Sequence, residues 1–277
     1  MVGCLSYAHL LLDDLFPAIA ALDIFNIDVA HAHAAYYGCV QYTFDSGRIT
    51  TTYDGITPLA DACHANFKKY SKLVFGREAT NMAFLEGQSQ CFKQVIMGHG
   101  GSLNNRFVLK ERGITLRKGR DLIIQNLNMT NNIPPSGLSV MVLTKPPTWP
   151  TLCADIETMV HTQLHLDEIP VLCVNPGDFA LEDELELIQS ATLLVAVHGT
   201  VSLLSLFARD GAILIAIGEE KETFKDGQTL LYATHIQTYF TTVERMDSLP
   251  SLIRYGLFLA ASNFEIPFSS SAEHNIL

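Results

Sequence analysis

The stretch "TLLVAVHGTVSLLSLFARDGAILIAIG" (192–218) contains two apolar segments with a helical segment between them. Residues 192–199 and 212–218 are apolar at nearly every position, as in strands that are buried on both faces of a parallel sheet. The segment 200–211 has helical spacing and ends at Gly211. A strand, a helix and a strand in this order predict a parallel α/β unit.

The same alternation extends in both directions along the second half of the chain. Short apolar runs predict further strands at 139–144, 169–175 and 235–242. Helical spacing predicts helices at 150–164, 181–191 and 249–262. Strands that alternate with helices in this way predict the α/β fold class.

The first half of the chain is less regular. A helix is predicted over about 8–25, and strands are predicted at 39–44, 72–76 and 91–98. This half is also predicted to be α/β, but with fewer helices than a complete doubly wound unit.

A cluster of Asn, Thr, Pro and Gly at residues 127–138 has no apolar period and indicates a linker. It predicts an N-terminal domain over 1–133 and a C-terminal Rossmann-like domain over 134–247. The remaining helix and tail, 248–277, are predicted to pack across the two domains.

Composition excludes several classes of protein. The 277 residues carry a formal net charge of −11, with 18 basic and 29 acidic residues, and nucleic-acid binders usually show the opposite balance. No apolar run reaches the roughly 18–20 residues of a membrane span. The first residues lack the pattern of a signal peptide, which leaves a soluble cytoplasmic chain and a fragment both open. The six cysteines form no C-x-x-C pair, so zinc is not expected, and disulfides are left open.

His198-Gly199-Thr200 comes directly at the carboxyl end of the predicted central strand. Ligands of open α/β sheets bind at that edge, and the start of the following helix attracts anions. Gly199 lets a phosphate approach the backbone, and His198, Thr200 and Ser202 offer hydrogen-bond donors. The alternative is a plain strand-to-helix turn with a histidine whose hydrogen bonds are satisfied locally.

His9 and Asp13 lie one helical turn apart in the first predicted helix. A carboxylate can orient an imidazole and raise its basicity, which suits a general base. The alternative is a histidine at the start of a helix beside two solvated aspartates. No D-x-D tripeptide occurs, so no metal is expected.

Four stretches, taken in order, resemble glycosyltransferase family 61, which includes O-GlcNAc, xylosyl- and arabinosyltransferases. The first two are "YAHLLLDDLFPAIAAL" (7–22) and "CFKQVIMGHGG" (91–101). They are followed by "SVMVLTK" (139–145) and by "ELIQSATLLVAVHGTVSLLSLFARDGAILIAI" (186–217), which is similar to the family's block around H-G-A-G-L.

The resemblance implies a GT-B architecture, in which two Rossmann-like α/β domains face each other across a cleft. It implies inverting transfer of GlcNAc, xylose or another pentose from a UDP-sugar to a hydroxyl of a protein or polysaccharide, without a further cofactor. The donor-binding residues it implies are His198, Gly199, Thr200, Ser202 and Lys145. The catalytic residues it implies are His9 and Asp13. The resemblance also implies that the chain is located in the lumen of the Golgi or of the endoplasmic reticulum.

The chain departs from the family pattern at two places. Lys145 stands where members carry arginines, and Val201 replaces the second glycine of H-G-A-G-L. A non-catalytic relative that binds sugar nucleotides or glycans is therefore the alternative function. A third is an unrelated α/β enzyme that acts on a phosphorylated metabolite.

Overall fold

The computed structural model describes residues 10–36, 40–45, 48–53, 58–81, 112–129, 137–144, 149–197, 199, 201–218 and 229–262. The chain divides into two compact units, Met1–Asn128 and Met129–Leu277. The predicted domain limits at 133 and 247 stay predictions.

The described part of the first unit contains helices and two small sheets. The elements are α1 (Phe16–Ile24, directly after a π-helical turn at Leu10–Leu15), a 3-10 turn (Val29–His31), β1 (Ala35–Tyr36), β2 (Val40–Asp45), β3 (Arg48–Tyr53), α2 (Pro58–Phe75), β4 (Thr80–Asn81) and α3 (Arg112–Asn126). Strands β1 and β4 pair in parallel, and β2 and β3 form an antiparallel hairpin.

The sequence predicted only part of this unit. The first helix and the strand at 39–44 are confirmed as α1 and β2. The strand predicted at 72–76 is wrong, because Val74 and Phe75 are buried in the last turn of α2, which ends at Gly76 with φ +71°. A short apolar run does not distinguish a strand from a buried helix turn. The strand predicted at 91–98 lies outside the described residues.

Helices α1 and α3 pack very closely at Gly119. A Cβ added there would lie 2.4 Å from Cε1 of Phe16, whose side chain is almost completely buried. Lys118 on the same helix pairs with Asp23 of α1. Glycine at position 119 is therefore required by the close approach of the two helices.

The second unit is built on one parallel sheet. Its elements are β5 (Val140–Leu143), α4 (Leu152–Thr158, continued by a π-helical turn at Met159–Gln163), β6 (Val171–Val174), α5 (Leu181–Ser190), β7 (Leu193–Val197), a 3-10 helix (Ser202–Phe207), β8 (Ala212–Gly218), β9 (Ile236–Thr242), a second 3-10 helix (Val243–Ser248) and α6 (Leu249–Ala261). The strand order is β6-β5-β7-β8-β9, and all four pairings are parallel. The predicted α/β class is confirmed.

Both faces of this sheet are covered. On one face, α4 and α6 pack over Val142, Val195 and Ile215, which are fully buried. The residues that alternate with them, such as Leu194 and Leu214, are equally buried on the other face. Full burial of an aliphatic side chain contributes about 1.5–3 kcal/mol. The continuous apolar runs therefore correspond to the central strands β5, β7 and β8, which are buried on both faces, whereas the edge strands β6 and β9 are partly exposed.

A disulfide joins Cys153 of α4 to Cys173 of β6, with the two Cα atoms 6.0 Å apart and a sequence separation of 20. That Cα separation is within the usual range for a disulfide. Cys63 is also disulfide-bonded. The cysteine spacing had left open whether the chain contains disulfides, and the structure shows that it does. None of the described helices combines the length and the apolar character needed to cross a membrane.

Candidate functional site

The order of the strands creates a crevice at one edge of the sheet. From β5 the chain moves to one side, to β6, whereas from β7 it moves to the other side, to β8 and β9. The carboxyl ends of β5 and β7 thus flank a topological switch point, where Leu143 lies opposite Ala196. Ligands of open α/β sheets bind outside the carboxyl ends of the strands at such a point.

Gly199 lies two residues beyond the end of β7 at this crevice and is half-buried. Its φ of +121° falls in a region that L side chains rarely adopt. A Cβ added at this position would meet no atom of the described residues within 4 Å, so the space beside the backbone is open as far as the structure describes it. A ligand can therefore approach the main chain at Gly199.

Ser202 is fully buried and holds the turn that follows β7. Its hydroxyl donates to the carbonyl of Gly199 at 2.8 Å, and the hydroxyl of Ser205 donates to the carbonyl of Ser202 at 2.6 Å. Val201 is also buried, with 6% of its surface exposed. The described contacts make Ser202 a residue that positions Gly199, and its predicted contact with a phosphate stays a prediction.

The helix after β7 differs from the predicted one. Residues 200–211 were expected to be helical, but the structure has a six-residue 3-10 helix, Ser202–Phe207. Two side chains explain its early end, because Gln189 donates to the carbonyl of Phe207 and His235 bonds the carbonyl of Leu206 at 2.9 Å. A helix dipole as short as this adds little to anion binding, so polar groups near Gly199 must supply most of it.

The other predicted site residues fall where the structure gives no side-chain position. Asp13 lies in the π-helical turn Leu10–Leu15, where only the backbone of residues 12–14 is described. Outside the described residues lie His9, Lys145, His198 and Thr200. Their roles stay predictions, as does a site without metal. In the part of the chain that the structure describes, no three His, Cys, Asp or Glu side chains gather to hold a metal ion.

A polar turn that the sequence analysis did not select follows the carboxyl end of β6. Asn175 donates its side-chain amide to the carboxylate of Asp178 at 3.0 Å, and the N–H of Gly177 donates to Glu184 at 3.4 Å. The signal was present in "NPGD" (175–178), a typical turn sequence directly after an apolar run.

Carboxylates also surround the start of α5. Glu182, Asp183 and Glu184 all lie in its first turn, where they stabilise the positive end of the helix themselves. An anionic ligand is therefore disfavoured beside β6. Of the described carboxyl-end segments, the one after β7 suits an anion best.

The described arginines of the second unit do not replace the arginines of the family pattern. Arg209 precedes β8 and donates to the carbonyl of Ala191, before β7, so it lies at the amino ends of the strands. Burial lowers the pKa of Arg209. Arg245 follows the edge strand β9, two strands away from β7, or about 10 Å at the usual strand spacing.

An open groove of about 420 Å³ lies elsewhere on the second unit, between Leu164 and helix α6. Its lining is apolar apart from Ser251 and Arg254. Gly199 and Ser202, the two predicted donor-binding residues that the structure describes, do not line it. The crevice at β7 is the better candidate site because strand order, open backbone and sequence motif coincide there.

No protein-family model matches the chain, and no curated protein matches it at a significant level. The resemblance to glycosyltransferase family 61 therefore rests on the four sequence motifs. The switch point and the geometry of Gly199 are independent of that resemblance, since they follow from the fold.

Proposed function

We propose that the chain is an inverting glycosyltransferase, which transfers GlcNAc or a pentose such as xylose from a UDP-sugar to a hydroxyl of a protein or glycan. One observation carries the proposal. Gly199 presents open backbone at the carboxyl end of β7, beside the switch point of a parallel sheet. The same residue belongs to the H-G pair that resembles the family motif.

The donor diphosphate needs hydrogen-bond donors and positive charge. In this proposal a phosphate oxygen comes close to the backbone at Gly199, and His198 and Thr200 donate hydrogen bonds to this oxygen. Lys145 follows β5, the strand beside β7, and supplies one positive charge. Donors that are fixed before the reaction stabilise the charge that develops on the leaving UDP.

The acceptor hydroxyl must lose a proton as the sugar is attacked from behind. His9 is proposed as the base, with Asp13 to orient it; the reverse assignment remains the alternative. This part of the proposal assumes the GT-B arrangement, in which the first unit contributes its residues from across the cleft. The proposal includes no metal and no further cofactor.

A non-catalytic protein that binds sugar nucleotides is the second candidate function. It is favoured by the charges around the crevice, because Arg209 lies at the opposite edge and the start of α5 is acidic. A lysine also forms no bidentate fork with a phosphate, as an arginine does. In such a protein the UDP-sugar still binds, but the leaving UDP is stabilised too weakly for the sugar to be transferred.

Calorimetry with UDP, UDP-GlcNAc and UDP-xylose tests the proposal. We expect His198→Ala to weaken UDP binding, and His9→Ala to keep binding but abolish transfer. Matched controls are His31→Ala in the first unit and His165→Asn in the second. Both histidines are exposed, and asparagine tolerates the positive φ of position 165.

The possible outcomes separate the candidates. Absence of binding by all three nucleotides at millimolar concentration would exclude both candidates. Binding without transfer or donor hydrolysis would establish the second candidate. Equal UDP affinity in the wild type and in His198→Ala would show that the phosphate site lies elsewhere.

A further inference from the structure

We infer that Asn128 is an acceptor for N-linked glycan. Asn128-Met129-Thr130 is an N-x-T tripeptide whose middle residue is not proline, and no other asparagine of the chain starts such a tripeptide. This tripeptide is the acceptor sequence for N-glycosylation, which takes place on surface loops of secreted proteins. Three structural observations support its use in this chain.

The first observation is the position of Asn128 in a turn. It follows the end of α3 at Asn126, adopts a φ of +56°, and its N–H donates to the carbonyl of Gln125 at 2.9 Å. The left-handed conformation ends the helix and turns the chain away from it. The acceptor residue thus lies outside regular structure.

The second observation is that the side chain is available. Asn128 is exposed, and its carboxamide makes no hydrogen bond to any other described residue. Asn126, two residues earlier, differs, because its amide donates to the carbonyl of Leu73 at 2.7 Å. Of these two neighbouring asparagines, the one in the acceptor tripeptide is the one with an accessible amide.

The third observation concerns the compartment. The Cys153–Cys173 disulfide and the disulfide-bonded Cys63 belong to a chain that matures in an oxidising environment. Secreted proteins meet that environment in the same pathway in which asparagines are glycosylated. The cysteines and the acceptor tripeptide are far apart in sequence and indicate this pathway independently.

The modification is a group transfer by a separate oligosaccharyltransferase. The side-chain nitrogen of Asn128 attacks the anomeric carbon of an oligosaccharide that is carried on a lipid diphosphate. A nitrogen–carbon bond forms, the bond from that carbon to the diphosphate oxygen breaks, and the lipid diphosphate leaves. The amide nitrogen gives up one proton in the process.

Asparagine also suits position 128 for a purely conformational reason, because it tolerates positive φ. Three variants separate the two explanations. Asn128→Gly keeps the left-handed turn and removes the acceptor, whereas Thr130→Ala keeps the acceptor residue and destroys the tripeptide. Thr130→Ser preserves the tripeptide. The inference holds whether or not the chain itself transfers sugar.

The first test uses the protein isolated from the cells that make it. Peptide N-glycosidase in isotope-labelled water converts a glycosylated asparagine into labelled aspartate. We expect mass spectrometry to find labelled aspartate at position 128. An unmodified Asn128 peptide as the main species of the disulfide-bonded protein would overturn the inference.

The second test expresses the 277-residue chain behind a cleavable leader in eukaryotic secretory cells. We expect the wild type and Thr130→Ser to move to a lower apparent mass after the glycosidase, and Asn128→Gly and Thr130→Ala not to move. A secreted wild type without this change would contradict the inference. So would a change that persists in Thr130→Ala.

Discussion

Replacement of Gly119 by alanine should destabilise the first unit, although alanine is the better helix former. Gly119 lies inside α3, where its Cα faces the ring of Phe16 on α1. A Cβ there would lie 2.4, 2.6 and 2.7 Å from three carbons of the ring. Carbon atoms in contact normally stand about 3.5–4.0 Å apart, so the new methyl group overlaps the ring by about 1 Å.

Two effects of opposite sign decide the magnitude. Alanine for glycine inside a helix gains about 1 kcal/mol. Extra carbon in a well-packed core costs about 1–3 kcal/mol. The upper part of that range applies here, because Phe16 is only 1% exposed and three ring atoms are affected. The expected net loss in the free energy of unfolding is about 2 kcal/mol.

Urea unfolding followed by far-UV circular dichroism measures this loss. The matched control is Gly256→Ala in α6, where the added Cβ would lie 2.9 Å from Cδ1 of Leu193. That atom is the end of a flexible side chain that can rotate away, so we expect the control to change stability by less than about 1 kcal/mol. A second variant, Phe16→Leu, should cost less stability beside Ala at position 119 than in the wild type, which a double-mutant cycle detects.

A particular result would refute this reasoning. If Gly119→Ala raised the free energy of unfolding by about 1 kcal/mol, helix propensity alone would explain it. Helices α1 and α3 would then not approach as closely as described. Additive effects of the two substitutions would lead to the same conclusion.

Three further predictions concern the second unit. Gly199→Ala should lower the free energy of unfolding by about 1–3 kcal/mol through backbone strain, and it should also weaken UDP binding. An unchanged melting temperature would contradict the strained φ of this residue. Loss of the Cys153–Cys173 disulfide, tested with the double serine variant, should cost about 3 kcal/mol for a loop of 20 residues, and urea unfolding measures it. The pKa of Tyr239 is raised by burial, by the charge of Tyr255 and by a hydrogen bond to Tyr255. Its phenol should therefore titrate well above the ordinary value of about 10, and ultraviolet absorbance measures this titration. The stability linked to this proton is present below about pH 10 and is lost as the pH rises further, and Tyr239→Phe should remove that pH dependence.

The second unit was predictable because its central strands, β5, β7 and β8, are buried on both faces. Continuous apolar runs such as 212–218 have no competing interpretation when helices of moderate length alternate with them. Helix α5 was equally clear, since Leu185 and Ile188 are buried one turn apart and the first turn is acidic. Here local pattern and tertiary packing agree.

The first unit was less predictable because its packing overrides local pattern. Helix α3 was not predicted, because it contains two glycines and several charged residues. One of them, Arg120, is fully buried and pairs with Asp121 at 2.7 Å. Nothing in the sequence shows that Gly119 is placed against a ring far away in the chain.

The candidate site also combines features that the sequence predicted with features that it did not predict. The sequence predicted that Gly199 ends a central strand, which depends on local pattern. It did not predict that Ser202 donates to the backbone or that a 3-10 helix replaces the expected helix. The short 3-10 helix depends on Gln189 and His235, and hydrogen bonds between residues distant in sequence leave no periodic signal.

The pairing of β5 with β7 has a consequence for how the chain acquires its site. Thr192 and Ser139, which lead into these strands, are hydrogen-bonded although 53 residues separate them in sequence. Non-local contacts of this kind slow the folding of a domain, and the crevice cannot form before this pairing is made. During synthesis it does not exist until β7 has left the ribosome and has paired with β5. A truncated chain that stops before residue 193 would contain the sequences of β5 and β6, but it would lack β7 and therefore the crevice.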